Sequence, residues 1–107
     1  MSPTDELRQQ IKQSPDLPGV YLYRDGAGEV LYVGKALSLR KRLANYLPAL
    51  NGDESGRQPA KVNEMMGQAV SVEWIVTSNE VEALLLEHNL IKQHRSPFNI
   101  RLRDDKS

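Results

Sequence analysis

Apolar and polar positions alternate along residues 19–24 and again along 29–34, and both runs are rich in β-branched and aromatic side chains. Between them stand Asp25, Gly26, Ala27 and Gly28. Aspartate and glycine tolerate the positive φ of tight turns, so the pattern predicts a β-hairpin whose loop is residues 25–28. The simplest register then sets Arg24 opposite Glu29, Leu22 opposite Leu31 and Tyr21 opposite Tyr32. Strand side chains alternate between faces. Val20, Leu22, Leu31 and Val33 are therefore expected on one face, and Tyr21, Tyr23, Val30 and Tyr32 on the other. A slip of one residue would separate Tyr21 from Tyr32.

Helical spacing governs most of the rest. Residues 4–13 read as a short helix with Leu7 and Ile11 as its apolar stripe, capped by Thr4 or Asp5 and stopped by Pro15 and Pro18. Ser38 can cap a helix that runs to about Leu47 and stops at Pro48. Leu39, Leu43, Tyr46, Leu47 and Leu50 mark its buried side, with Arg42 beside that stripe and Arg40 and Lys41 further out. Residues 51–59 are polar and read as a loop, and 60–68 as a short helix through Val62, Met65 and Met66. Residues 70–77 alternate, with Val70, Val72, Trp74 and Val76 on one face, and predict a third strand. Asn79 followed by Glu82 resembles a capping box opening a helix to about His94. That helix is apolar over much of its circumference, and Glu87 falls inside the apolar arc. Pro97 begins a segment expected to be extended, and residues 103–107 are charged.

At 107 residues, 39% hydrophobic and 26% charged, the chain fits one folded domain, 1–107. Having no cysteine, it holds no disulfide framework, zinc-thiolate site or cysteine nucleophile. No apolar run reaches the length of a membrane span, and no signal peptide opens the chain, so a cytoplasmic location is expected. The formal net charge is zero, which by itself argues against a nucleic-acid partner. Its distribution changes that picture. Residues 35–50 carry four basic and no acidic side chains, and 91–107 carry five basic and two acidic, bracketing 51–90 with two basic and seven acidic. The charged, unfinished end suggests a fragment of a longer chain.

Candidate chemistry gathers at few positions. Tyr21 and Tyr32 on one face first suit ordinary sheet packing; the alternative is a phenol acting as general base or hydrogen-bond donor. A free phenol has a pKa near 10, so a base role needs cations nearby. Lys35 and Arg42 supply them, or form a solvated helix face; a guanidinium bordering an apolar stripe can also grip a phosphate. Glu87 is either an ion-paired carboxylate or a ligand for Mg²⁺, which takes oxygen ligands and keeps much of its water. His88 and His94 lack a zinc spacing. Asn99 alone is uninformative.

These residues carry a resemblance. Gly19-Val20-Tyr21, followed by Tyr32-Val33-Gly34, is similar to the paired signature of the GIY-YIG nuclease family, with valine at both middle positions. Gly34-Lys35-Ala36, Leu39 with Arg42-Leu43 and Tyr46, the run from Glu82 to Glu87, Asn89-Leu90-Ile91-Lys92, Pro97-Phe98-Asn99 and the run from Leu102 to Ser107 resemble, in that order, the N-terminal domains of the UvrC family of bacterial nucleotide excision repair. Phe98 stands where that family often has tyrosine. The resemblance implies an α+β fold, a small antiparallel three-stranded sheet flanked by helices. It implies a divalent-metal-dependent endonuclease cutting on the 3′ side of a DNA lesion, with one Mg²⁺ or Mn²⁺ ion. Tyr32 is then the implied general base, Tyr21 its hydrogen-bonding partner, Lys35 and Arg42 the groups near the phosphate, Glu87 the metal ligand and Asn99 a further active-site residue. The implied partners are damaged double-stranded DNA and other excision-repair subunits, including a UvrB-like loader, reached through the full-length protein, with the isolated domain monomeric. The alternatives are a stand-alone structure-specific nuclease of the same family and a non-catalytic DNA- or subunit-docking module.

Overall fold

A computed structural model describes residues 3–50 and 60–99. The elements run α1 (Pro3–Lys12), β1 (Gly19–Asp25), β2 (Val30–Ala36), α2 (Leu39–Ala44), α3 (Leu47–Leu50), α4 (Ala60–Gln68), β3 (Ala69–Val76) and α5 (Glu80–His94). The strands form one antiparallel sheet in the order β2-β1-β3, so the first hairpin strand is central. The fold is α+β, as anticipated. The expected loop over 51–59 and the segment after Asn99 lie outside the described residues.

The hairpin departs from the simplest register twice. Asp25 N–H donates to Glu29 O at 3.0 Å and Gly28 N–H to Asp25 O at 3.0 Å, which makes the loop three residues, Gly26 to Gly28. Gly28 takes φ 85°, the left-handed conformation glycine adopts without a Cβ penalty. The Asp25 carboxylate accepts from Ala27 N and Glu29 N and holds the loop closed. One residue on, a bulge intervenes, because Arg24 pairs with Val30 but Tyr23 pairs with Tyr32. Leu31 is the extra residue. Two offsets of one residue cancel for face identity. Tyr21, Tyr23 and Tyr32 therefore share a face as expected, although Tyr21 lies opposite Gly34 and diagonal to Tyr32. Only Val30 and Leu31 exchange faces, and each joins the core opposite to the one anticipated.

The sheet separates two apolar layers. On the tyrosine face, Leu7 and Ile11 of α1, Leu39 and Leu43 of α2, Val62, Met65 and Met66 of α4, and Phe98 pack on Tyr21, Tyr23, Val72 and Trp74. On the other face, Val20, Leu22, Val30 and Val33 meet Ala83, Leu86, Leu90 and Ile91 of α5. That helix covers the sheet with one side only and leaves Val81, Leu84 and Leu85 exposed. A second bulge opposite Asp25 takes Val70 out of the expected alternation and seats Ala69 in the core instead.

Three local details differ from expectation for physical reasons. The helix after Ser38 ends at Ala44, not Leu47, and a separate turn begins at Leu47. A proline ring clashes with the carbonyl four residues back, which for Pro48 is Ala44. The chain meets this with tighter bonds, Asn45 N–H to Arg42 O at 3.2 Å and Tyr46 N–H to Leu43 O at 3.0 Å. At α5, Asn79 Oδ1 accepts from Glu82 N–H at 2.9 Å, but the Glu82 carboxylate takes Ser78 N–H rather than that of Asn79, so the box closes one residue early. Residues 97–99 form a helical turn, not an extended strand, in keeping with proline's tolerance of the first helical turn.

Both sheet edges carry side-chain amides. Gln10 of α1 accepts from Val72 N–H of β3 at 2.9 Å. Asn99 accepts from Val33 N–H of β2 and donates to Val33 O, both at 2.8 Å.

Candidate active site

A cleft of about 980 Å³ straddles the free side of β2 between α2 and α5. Tyr32, Lys35 and Ala36 come from the strand, Leu37 and Ser38 from the connection after it, Lys41, Arg42 and Asn45 from α2 and its end, and Glu80 and Glu87 from α5. The hairpin faces explain the gathering. Tyr32 points to the α2 side and Lys35, three residues on, to the α5 side, so an edge strand can offer both to one opening. Ser38 caps α2 by accepting from Lys41 N–H, which fixes the helix that presents Arg42.

Three carboxylates line the cleft. Glu80 lies 3.5 Å from Lys35 Nζ. Asp16 accepts from the Ser38 hydroxyl, which, with Lys41 and Arg40 nearby, holds its carboxyl below the usual range. Glu87 is half-buried and has no ion pair among the described residues. The anomaly in the apolar arc is thus a carboxylate aimed at the cleft from beside the helix's packed side.

Tyr21 is placed differently from expectation. It does not face the cleft but is fully buried behind it, with 0% exposure. Its hydroxyl is 2.8 Å from that of Tyr46 and accepts from Arg42 Nε at 3.3 Å. Its ring lies under Gly34. A Cβ at Gly34 would stand 2.4 Å from Tyr21 Cζ and Oη, so the space that glycine leaves open is filled by the phenol. Tyr32 sits beside this cluster, its ring centroid 6.1 Å from that of Tyr21, and is the phenol that reaches the cleft. Tyr23 packs edge-on against Tyr21 and Tyr46, and its buried hydroxyl has no hydrogen-bond partner among the described residues; it is a packing residue. Tyr46, read from the sequence as part of an apolar stripe and of the family resemblance but given no site role, is the residue missed. A tyrosine in a leucine stripe was the available signal.

Asn99 also stands outside the cleft. Its two bonds to Val33 clamp the backbone next to Tyr32, and Ser96 Oγ donates to the same Oδ1. The structure therefore brings Tyr32, Lys35, Arg42 and Glu87 to one opening and sets Tyr21 and Asn99 as the supports beneath two of them.

Burial pushes the Tyr21, Tyr23, Tyr32 and Tyr46 phenols well above the ordinary value near 10. For Tyr32, neighbouring Tyr21 and Glu87 add to this, and Arg42 opposes it. Arg42 is held charged, chiefly by Tyr21. A consequence for stability follows. Up to about pH 9 folded and unfolded chains hold the same phenolic protons. Above it the unfolded chain releases them first, so stability falls as pH rises, by up to about 1.4 kcal/mol per pH unit for each buried phenol, until the folded-state values are passed. Urea midpoints measured between pH 9 and 11.5 are expected to fall steeply; a flat profile would mean that the phenols ionise freely in the fold.

Known proteins share this sequence pattern and fold. Residues 17–100 match the model of the UvrC-like GIY-YIG domain. The UvrABC system protein C of Desulforudis audaxviator is 48% identical over 102 residues, 95% of this chain and 16% of that protein. Its counterpart in Symbiobacterium thermophilum is 49% identical over 100 residues, 94% of this chain and 15% of that protein. The chain thus spans about one-sixth of the length of these relatives. Among solved structures, the N-terminal endonuclease domain of UvrC from Thermotoga maritima, bound to magnesium as its catalytic divalent cation, superposes with a TM-score of 0.73 and 38% identity, covering 89% of this chain and 94% of that one. A point mutant of the same domain, with an asparagine replaced by alanine, is also described as bound to its catalytic cation. The chain belongs to the UvrC-like GIY-YIG domain family.

Proposed function

We propose that this chain is a magnesium-dependent DNA endonuclease domain that hydrolyses a phosphodiester on the 3′ side of a lesion, as part of a longer excision-repair protein. The observation that carries the reading is the cleft itself, where Glu87, the one cleft carboxylate without a partner among the described residues, shares the opening with Lys35, Lys41, Arg42 and the Tyr32 phenol.

The residues suit a divalent ion. Glu87 offers a carboxylate at an opening roomy enough for water and phosphate oxygens. Among the described residues no group of three or more His, Asp or Glu converges, which fits an ion held by one carboxylate, water and substrate. When bound, the ion supplies Lewis-acid stabilisation of charge on the phosphate and leaving oxygens.

The chain's own groups do the rest. Lys35 and Arg42 bind the phosphate from opposite sides of the cleft. Arg42 Nε is engaged by Tyr21, which leaves the guanidinium's outer end to meet the substrate and fixes its approach. Tyr32 takes the proton of the attacking water. The protein alone holds that phenol protonated, and Glu87 contributes to this. Neutralising the Glu87 charge therefore favours the phenolate, and proton transfer is linked to occupancy of the carboxylate. Tyr21 and Asn99 are positioning residues. The formal charges lining the cleft cancel, Asp16, Glu80 and Glu87 against Lys35, Lys41 and Arg42. The domain alone then holds DNA weakly, and a UvrB-like loader brings it to damaged duplex.

Tyr32→Phe keeps the ring and removes the hydroxyl. In the full-length protein, on a lesion-bearing duplex loaded by its UvrA and UvrB partners, the 3′ nick is expected to form about 10²-fold or more slower. An unchanged rate removes Tyr32 from proton transfer.

A further inference from the structure

Leu37 is 69% exposed, more than any other large apolar side chain among the described residues. A single exposed leucine is ordinary. This one lines the cleft, two residues after Lys35 and four before Lys41, which line it too. Nor is its exposure the result of a loose loop. Ala36 and Leu39 on either side are buried. Leu39 N–H donates to Leu17 O at 2.9 Å, Arg40 N–H donates to Pro15 O at 3.0 Å, and the Ser38 hydroxyl donates to Asp16. The connection from β2 to α2 is therefore a fixed ridge with an apolar tip between cations.

Resting on the reading that the cleft takes a DNA phosphate, we infer that Leu37 is a wedge, and that its ligand is an unstacked nucleobase next to the phosphate held by Lys35 and Arg42. The cations hold the backbone of the strand, which places the neighbouring base or sugar against the ridge. A leucine has no hydrogen bond to offer a base edge, so it reads no sequence. It offers dispersion contact to any base face turned out of the stack. In a regular duplex that face is covered and must be uncovered first; at a distorted or unpaired step it is already available. Leu37 thus biases the site toward DNA whose stacking is broken.

Fluorescence anisotropy tests this with the chain and two labelled duplexes of one sequence, fully paired or with a central unpaired bubble, in EDTA so that nothing is cut. The wild type is expected to prefer the bubble. Leu37→Ala should lower that preference by about five- to tenfold while affinity for the paired duplex changes less than about twofold, and Leu37→Met should keep the preference. Truncating so exposed a side chain leaves the core intact, and an unchanged thermal midpoint confirms it. No preference in the wild type, a preference unchanged in Leu37→Ala, or an equal loss on both duplexes overturns the wedge. Lys35→Ala and Arg42→Ala report separately on the underlying reading. If neither weakens binding to either duplex, DNA does not enter the cleft, and the wedge falls with that reading.

Discussion

Glu87→Gln is expected to remove metal-dependent cutting, with kcat lower by about 10³-fold or more, and to leave the fold standing. The size follows from what the carboxylate does alone. Asp16 is engaged by Ser38 and Glu80 by Lys35, so no other carboxylate at the cleft is placed to substitute for it. Glutamine keeps the shape and loses the charge that attracts a divalent ion. The side chain lies at the margin of α5's packed side, whose apolar contacts come from Ala83, Leu86, Leu90 and Ile91. Its replacement opens no cavity, and a thermal midpoint within a few degrees of wild type is expected. Two measurements check the assignment, single-turnover incision and Mn²⁺ binding followed by electron paramagnetic resonance. Wild-type cutting by the variant would end the metal-ligand assignment. Lost cutting with unaltered Mn²⁺ binding would move Glu87 from holding the ion to some other role.

Gly34→Ala is expected to destabilise the domain by about 3–5 kcal/mol, a large part of the 5–15 kcal/mol that holds a typical domain together. The new methyl carbon would stand 2.4 Å from Tyr21 Cζ and Oη. Tyr21 has nowhere to retreat, being fully buried and bonded to Tyr46 and Arg42. Moving it strains packing, breaks a buried hydrogen bond and tilts the guanidinium that rests on it. The variant should therefore melt about 15 °C or more below wild type and also lose phosphate affinity. Gly67→Ala is the control. It lies in α4, where an added Cβ would meet no described atom within 4 Å beyond its chain neighbours and its own helix backbone, and there the same change should be neutral or mildly stabilising. Equal melting temperatures for wild type and Gly34→Ala would show that the ring and the strand adjust to each other.

How much of this was readable in the residues differs from place to place. The hairpin was, because Asp25, Gly26 and Gly28 announce a turn. Its register was not, since nothing local to the sequence distinguishes a three-residue loop followed by a bulge at Leu31 from a four-residue loop. The face of the tyrosines survived only because the two offsets cancel. Glu87 was legible as a violation of pattern, a charge within an apolar arc. Lys35 and Arg42 were legible as neighbours in sequence of the elements that carry them. Tyr21 was legible as a phenol on the same face as Tyr32, and Asn99 was named on resemblance, but their stations were hidden. Asn99 bonds to the backbone of Val33, 66 residues away, and backbone partners leave no mark in composition or spacing. Tyr46 was hidden for a related reason, because a phenol in a leucine stripe reads as bulk until its hydroxyl is seen against another.

The asparagine clamp bears on how the domain is made. Synthesis runs from the N-terminus, so the hairpin, its phenols and α2 all leave the ribosome well before Asn99. Until that residue emerges, Val33 presents an unpaired N–H and C=O on an outer strand, a template for pairing with another chain. Gln10 shields the opposite edge as soon as β3 arrives, whereas β2 waits for nearly the last described residue. The side of the sheet that forms the cleft is thus the side exposed longest during translation. Nascent chains stopped short of Asn99 would hold every charged group of the site, yet keep an open strand edge beside it.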